Sequence, residues 1–394
     1  MSKLEKLIQQ YCPDGVEYVR LGDILSVNRG KRLTKTQLSD DGKYYVYHGS
    51  KDTPLGKYSQ FNVKGNTTIV VNTGGIGGVK YCNEDFWCSD GSFWIGHSAL
   101  LNDKYVYYYL SPKENYFASQ KRVGGVPTIN RSTVENVEIP VPPLPVQEEI
   151  VRVLDAFTEL QAELQAELQK RKQQYNYYLD NLLNFKNINR GGQEIKWMRL
   201  KDVATQWYRG AGIKREEVSN EGMPCIRYGE IHTSYNIWFK DCISHTDETK
   251  QATKKYAEYG DILFAITSED IPLVGNSVAY LGKEKIMVGG DIVVMKHHQD
   301  PRYMAYALST SDAIKQKGKG KVKSKVVHTN VPSLQEIVIP IPPMEEQQRI
   351  ADILDRFDTL TNDLTSGLPA EMEKRRQQYE FYRDKLLTFK RKEA

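Results

Sequence analysis

One stretch of this chain occurs twice. Glu138–Leu160 reads EIPVPPLPVQEEIVRVLDAFTEL, and Val338–Leu360 reads VIPIPPMEEQQRIADILDRFDTL. An offset of 200 brings Pro140 onto Pro340, Pro142-Pro143 onto Pro342-Pro343, Gln147 onto Gln347, Leu154-Asp155 onto Leu354-Asp355 and Phe157 onto Phe357. Both copies end alike, in RKQQYNYYLDNLLNFK (Arg171–Lys186) and RRQQYEFYRDKLLTFK (Arg375–Lys390). There the offset is 204, so the second copy holds four more residues. A repeat fixes architecture before any other signal, and a period near 200 is too long for a solenoid. It implies one globular domain followed by one long helix, present twice.

The helices are legible from spacing. Proline is tolerated ahead of or inside a first helical turn, which suits the Pro-Pro before each copy. Ile150, Val153, Phe157, Leu160 and Leu164 follow the 3-4 spacing of a coiled-coil seam, which resumes at Tyr175, Tyr178, Leu182 and Phe185. A helix from Pro145 to Lys186 would span roughly 60 Å, with Gly191-Gly192 as its stop. The second helix is expected from Met344 to about Phe389. Its seam is Ile350, Ile353, Phe357, Leu360, Leu364, Leu368, Met372, Tyr379, Tyr382, Leu386 and Phe389. Gly367 and Pro369 are positions where it would kink or break. Matching helices can pair antiparallel, which gives a pseudo-twofold axis with the globular domains at opposite ends of a rod.

The globular parts echo each other as well. VEYVRLGDIL is mirrored by IKWMRLKDVA, Arg29-Gly30 by Arg209-Gly210, Tyr105-x-x-Tyr108-x-Leu110 by Tyr303-x-x-Tyr306-x-Leu308, and Asn130 and Thr133 by Asn330 and Ser333. Between these anchors the halves diverge, as two domains of one fold with different ligands would. Thr68–Asn72 and Phe93–Ile95 read as short strands. Tyr105–Leu110 is ambiguous between strand and helix. The expected class is α+β: two similar, mostly sheet, α/β domains, each followed by a long helix, the helices forming an antiparallel coiled coil. The expected divisions are 1–143 (with a short helix at Lys3–Gln10), 144–192, 193–343 and 344–394.

Composition narrows the function. Net charge is +4 over 394 residues, so any nucleic-acid footprint must be local. Five cysteines without a Cys-x-x-Cys pair argue against a disulfide framework or a zinc site. No apolar run approaches a membrane span, and MSKLEKLIQQY lacks a signal-peptide core; a cytoplasmic location is expected. Motifs for phosphate loops, nucleophile elbows and amino-methyltransferases are missing. GGIGGVK (Gly74–Lys80) fits a tight β-turn better than a cofactor loop, and His297-His298 lacks further metal ligands at useful spacing. A non-catalytic chain is expected, with no cofactor or metal of its own.

Basic residues gather at matching places. Arg29, Lys31, Arg32 and Lys35 open the first domain; Arg209, Lys214 and Arg215 open the second. Lys317, Lys319, Lys321, Lys323 and Lys325 alternate through a glycine-containing tract, and the first half carries Lys121-Arg122 there. Such density suits either a solvated loop or an arm tracking phosphates; the duplication favours phosphates. With Ser50, Lys51, Asn130 and Asn330, these residues form the expected DNA-binding set. Tyr47, His48, Tyr208 and Tyr228 stand beside them as side chains for base contact, stacking or packing.

Two variable domains, each ending in an Ile-Pro-x-Pro-Pro…Gln…Ile…Leu-Asp…Phe helix, resemble the DNA-specificity subunit of type I restriction-modification systems. The resemblance spans essentially the whole chain. It implies that each globular domain is a target-recognition domain for one half of a bipartite sequence in double-stranded DNA. It implies that the helices are a conserved spacer docking two modification (methyltransferase) subunits, which carry S-adenosylmethionine, and that motor-nuclease restriction subunits join them. The tract TELQ-AELQ-AELQ (Thr158–Gln169) resembles the short tandem repeats that act as a ruler in this family. The competing readings are the recognition part of a fused DNA methyltransferase or restriction enzyme, and a coiled-coil scaffold. The complete duplication weighs against the first, and the paired basic loops against the second.

Overall fold

In the computed structural model, residues 3–122, 125–185, 195–268, 273–318, 321–323, 326–362 and 366–393 are described. The chain divides into two compact units: residues 1–163 with 372–394, and residues 164–371. Each unit therefore holds one globular domain and a part of both helical stretches. This differs from the linear division expected from the sequence, because the helical segments pack into the core of a domain.

Among the described residues of the first unit, a short helix, Lys3–Tyr11, precedes nine strands: β1 (Tyr18–Arg20), β2 (Val27–Arg29), β3 (Tyr44–Tyr47), β4 (Gly56–Tyr58), β5 (Thr67–Val71), β6 (Val79–Cys82), β7 (Trp87–Cys88), β8 (Ser92–Ile95) and β9 (Glu138–Pro140). A four-stranded sheet has the order β2-β8-β5-β6, a three-stranded one β4-β3-β7, and β1 pairs with β9. The ladders are antiparallel except β3 with β7. The glycines Gly74–Gly78 lie in the β5–β6 connection, a turn as expected, while Val79 and Lys80 already belong to β6; at Gly77 (φ 88°) a Cβ would lie 2.6 Å from the Glu114 carbonyl oxygen. The ambiguous Tyr105–Leu110 is helical, within Asp103–Leu110. Its N-cap, Asn102, accepts from the Lys104 and Tyr105 amides, and this settles the local choice for helix.

The second unit repeats this plan with additions. Its strands are β10 (Lys196–Arg199), β11 (Ala204–Arg209), β12 (Val218–Ser219), β13 (Met223–Ile226), β14 (Trp238–Phe239), β15 (Ser244–Thr246), β16 (Tyr256–Ala257), β17 (Ile262–Ala265), β18 (Thr267–Ser268), β19 (Ser277–Tyr280), β20 (Ile286–Val288), β21 (Ile292–His297), β22 (Lys321–Lys323), β23 (Val326–His328) and β24 (Val338–Ile341). The sheet β11-β21-β17-β19-β14 matches β2-β8-β5-β6 with one strand added. The sheet β12-β15-β13-β20-β16 contains the parallel pair β13–β20, counterpart of β3–β7. β10 pairs with β24 as β1 does with β9.

The first long helix runs Leu144–Leu182. The second is interrupted: Met344–Asn362 and Leu368–Leu386 are separate helices. Pro369 lies in the first turn of the later one, where it removes no helical hydrogen bond. Inside the first unit, Phe157 stacks on Tyr382, and Arg391 pairs with Glu138 just ahead of the first helix. The two helical stretches of that unit are therefore antiparallel. In the second unit Tyr178 stacks on Phe357.

The buried stripe is not the expected seam throughout. Ile150 is buried, but so are Val146 and Leu154, and Leu179 and Leu183 take the places expected for Tyr178 and Leu182. Tyr175, Leu179 and Leu183 recur every four residues and face the core of the second unit together with Ile350 and Leu354. A helix packed on a domain as well as on another helix needs this wider apolar face. Lys186, Gly191 and Gly192, the expected end of the first helix, lie outside the described residues.

Candidate nucleic-acid interface

The matched residues of the two halves form one hydrogen-bond framework, built twice. In the first unit, Gln147 Oε1 accepts from the Asn102 amide (2.8 Å) and its Nε2 donates to the Pro142 carbonyl (2.6 Å). Tyr105 Oη donates to the Pro140 carbonyl (3.1 Å), and Asp155 accepts from Tyr108 Oη (2.5 Å) and Lys104 Nζ (2.7 Å). In the second unit, Gln347 Oε1 accepts from the Asp300 amide (3.0 Å) and Nε2 donates to Pro342 (2.8 Å). Tyr303 donates to Pro340 (2.8 Å); Asp355 accepts from Tyr306 Oη (2.6 Å), Arg302 (2.7 Å) and Trp238 Nε1 (2.9 Å). Burial, reinforced by the carboxylate, pushes the Tyr108 and Tyr306 phenols far up, so both remain donors. These repeated residues bolt each domain onto the helix that follows it.

The framework holds a second repeated feature, a cluster of strand ends. Gly30 and Gly210 each follow the edge strand β2 or β11, and a Cβ there would lie 2.2 Å from the carbonyl oxygen of Ser89 or Gly289. Only glycine allows this approach. The next amides, of Lys31 and Ala211, donate to Cys88 and Val288, each at 2.9 Å. Arg29 Nε donates to the Asp90 carbonyl (3.2 Å). Arg209 Nε donates to the Gly290 carbonyl, and its Nη2 pairs with Asp291 (2.6 Å). Both arginines clasp the turn before β8 or β21 while their side chains stay largely exposed.

The remaining residues expected to bind DNA fall into three groups. Lys31, Arg32, Lys35, Lys121, Arg122, Lys214 and Arg215 are exposed on loops or short turns. Arg122 and Lys321 occupy like positions: Arg122 bridges Thr128, which also bridges Thr73, and Lys321 pairs with His328, which also pairs with Thr267. The described part of the lysine-rich tract beyond the helix is strand β22, which pairs with β23 in a three-stranded sheet of order β18-β23-β22. Lys321 and Lys323 alternate along β22, while Lys319 and Lys325 lie outside the described residues.

The second group is engaged internally. Lys51 Nζ contacts both Glu114 carboxylate oxygens at 2.7 Å, so its charge is matched within the domain. Ser50 Oγ accepts from the Asp52 and Thr53 amides and shapes its own turn. Asn130 and Asn330 both occupy helix N-cap positions; Asn330 Oδ1 accepts from the Ser333 amide (2.9 Å), whereas the Asn130 side chain makes no capping bond. Position along the chain does not separate such turn and cap residues from ligand-facing ones.

Lys317 corrects the expectation outright. It is 6% exposed, with Nζ donating to Ser277 Oγ (3.0 Å) and lying 5.9 Å from the centroid of Phe264. Burial pushes its ammonium down to about 7. It sits on the helix before β22, where an offset of 200 places Phe117, fully buried in the first unit. Gly77 packs against Phe117, and Gly275 against Lys317. Lys317 fills an aromatic slot and does not reach a phosphate. The matching offset is the sequence signal that points to this role.

Among the described residues no group of three His, Cys, Asp or Glu could hold a metal ion, and no helix is long and apolar enough to cross a membrane. The sequence family described as "Type I restriction modification DNA specificity domain" matches residues 13–173 and, a second time, residues 192–374. The chain belongs to this family. It is 33% identical to the Escherichia coli "Type I restriction enzyme EcoR124I/EcoR124II specificity subunit", across 100% of this chain and 98% of that one. Two solved structures share its fold. The S subunit of a type I restriction-modification system from M. genitalium aligns with a TM-score of 0.58 at 16% identity, over 95% of this chain and 96% of that one. A chain from a study of complex assembly and conformational transition in the type I R-M system aligns with a TM-score of 0.61 at 16% identity, over 96% and 98%. The double match of this family coincides with the two copies of the hydrogen-bond framework.

Proposed function

We propose that this chain is the non-catalytic, DNA-reading subunit of a type I restriction-modification complex. Each globular domain reads one half of a bipartite target in double-stranded DNA, and the helices set the distance between the halves. The observation that carries this reading is the pairing of a repeated framework with a repeated basic rim. Arg29 in one unit and Arg209 in the other clasp the same strand-end turn, and exposed basic residues follow each along the chain, Lys31 and Arg32 after the first, Lys214 and Arg215 after the second, while the intervening loops differ. Phosphate contacts fix register without sequence preference, and loops that differ supply different base contacts.

The chemistry belongs to partners: two modification subunits, with S-adenosylmethionine bound on them, and restriction subunits that join to cleave. The helices support two copies of one partner. Tyr177 and Phe381 are equivalent at the offset of 204, and each is about two-thirds exposed. Each packs edge-on against the neighbouring Tyr178 or Tyr382. An exposed, pre-positioned aromatic ring is what a protein interface uses as an anchor. The test is a map of methylated bases in host DNA with and without the gene. Loss of one bipartite motif is expected; an unchanged map in a host that expresses the modification subunit would overturn the reading.

A further inference from the structure

In each unit one parallel strand pair, β3–β7 or β13–β20, ends at the strand-end cluster, and the residue after its first strand lies beside it. In the first unit β3 pairs with β7 (Tyr47 opposite Cys88), and the Ser89 amide donates to the Tyr47 carbonyl at 3.0 Å. In the second, β13 pairs with β20 (Ile226 opposite Val288), and the Gly289 amide donates to the Ile226 carbonyl at 2.9 Å. His48 and Arg227 follow these strands and are structurally equivalent, although neither the offset of 200 nor that of 204 relates them.

The imidazole of His48 is held in one orientation. Its Nδ1 lies 3.2 Å from the Gly91 amide nitrogen, which donates to it, and 3.1 Å from Ser89 Oγ. Asp90 Oδ1 is 3.3 Å from the same nitrogen. Gly91 is buried, and a buried backbone N–H seldom goes unpaired. Nδ1 must then supply the lone pair, so the neutral ring carries its hydrogen on Nε2. Gly91 is also required sterically, because a Cβ there would lie 2.7 Å from Nδ1. Nε2 has no protein partner among the described residues, and the side chain is 36% exposed.

The surroundings tie His48 to the basic rim. Asp90, whose carboxylate approaches Nδ1, offers its carbonyl to Arg29 Nε. In the second unit Gly289 replaces Ser89 and lies against Arg227, with 3.5 Å from its would-be Cβ to the Arg227 Cα. No carboxylate is ion-paired to the Arg227 guanidinium among the described residues. Each domain thus places, at one point on its framework, a partly exposed side chain that carries hydrogen-bond donors. In the DNA major groove the matching acceptor pair is O6 and N7 of guanine, taken in bidentate fashion by arginine.

We propose that His48 and Arg227 are equivalent base-reading residues, each donating to the O6/N7 edge of a guanine in the half-site read by its own domain. This rests on the DNA-reading role proposed for the chain. The test uses the complex of the chain with its modification subunits and oligonucleotides carrying the mapped target. Wild type is assayed with each guanine replaced in turn by 7-deazaguanine, which removes the N7 acceptor. His48→Ala, His48→Gln, Arg227→Ala and Arg227→Lys are assayed on targets with each base varied.

Expected for wild type is a loss of affinity of about 10-fold or more at one guanine per half-site. In His48→Ala the first of these positions becomes degenerate and insensitive to 7-deazaguanine; in Arg227→Ala the second does. His48→Gln, which keeps a donor, retains part of the discrimination. Uniform weakening on all sequences would make these residues phosphate contacts and overturn the proposal, as would an unchanged base profile in correctly folded variants. If wild type itself shows no sequence preference, the DNA-reading role fails instead.

Discussion

Phe157 stacks on Tyr382, with ring centroids 5.5 Å apart and planes 25° from parallel. The duplication turns these residues into Phe357 and Tyr178, which stack at 5.1 Å and 24°. One contact between the two helical stretches is therefore made once in each unit. Aromatic pairs add about 0.5–1.5 kcal/mol beyond the area they bury. A double-mutant cycle of Phe157→Ala and Tyr382→Ala is expected to give a coupling in this range by thermal unfolding. Additive single effects would contradict the pairing.

The framework predicts an asymmetry between the units. Asp355 accepts from three side-chain donors, Tyr306, Arg302 and Trp238, whereas Asp155 accepts from Tyr108 and Lys104. Removing a carboxylate strands its donors, at about 1–3 kcal/mol for each buried group left unpaired. Asp355→Ala should destabilise more than Asp155→Ala, by about 1–2 kcal/mol. Comparing the two unfolding midpoints checks this; equal effects would mean that the Trp238 bond contributes nothing.

Lys317→Met is expected to stabilise the protein. The folded-state value is pushed down to about 7 from an ordinary 10.5 by burial. Between those values the unfolded chain binds the extra proton, so stability rises with pH. The penalty is complete below about 7 and fades as pH approaches 10.5. The variant should gain on the order of 1–2 kcal/mol at neutral pH, with the advantage shrinking in alkaline buffer. An advantage independent of pH would place the ammonium in solvent.

What can be read in the sequence follows from what the repeated residues do. Gln147, Tyr105, Tyr108 and Asp155 recur as Gln347, Tyr303, Tyr306 and Asp355 because they make the same hydrogen bonds, so the two-domain, two-helix plan is legible. Lys317 misleads because it belongs to an alternating charge pattern, although its environment is that of Phe117. The 3-4 spacing puts Tyr178 in the seam, but the helix also packs on a domain and buries Leu179. The strand-end cluster has no local motif, since His48 and Arg227 meet it through β pairing between distant segments.

The exposed rim should carry the salt dependence of DNA binding. Neutralising Arg32 and Lys35 together is expected to reduce the slope of log K against log salt by roughly 1.8, at about 0.9 for each phosphate no longer neutralised. Titrations at several salt concentrations measure it. Lys51→Ala, whose charge is already matched by Glu114, should change the slope far less.

The most direct test of two readers joined by a spacer is deletion of one tetrapeptide, Ala162–Gln165, from the tandem tract. The boundary between the two compact units, at 163–164, falls inside this tract. Four residues amount to about 6 Å of helix, comparable to roughly two base-pair steps. The methylated-base map of the deletion variant should show both half-sites unchanged and the gap between them shortened. An altered half-site, or an unaltered gap in a complex that still methylates, would contradict the account.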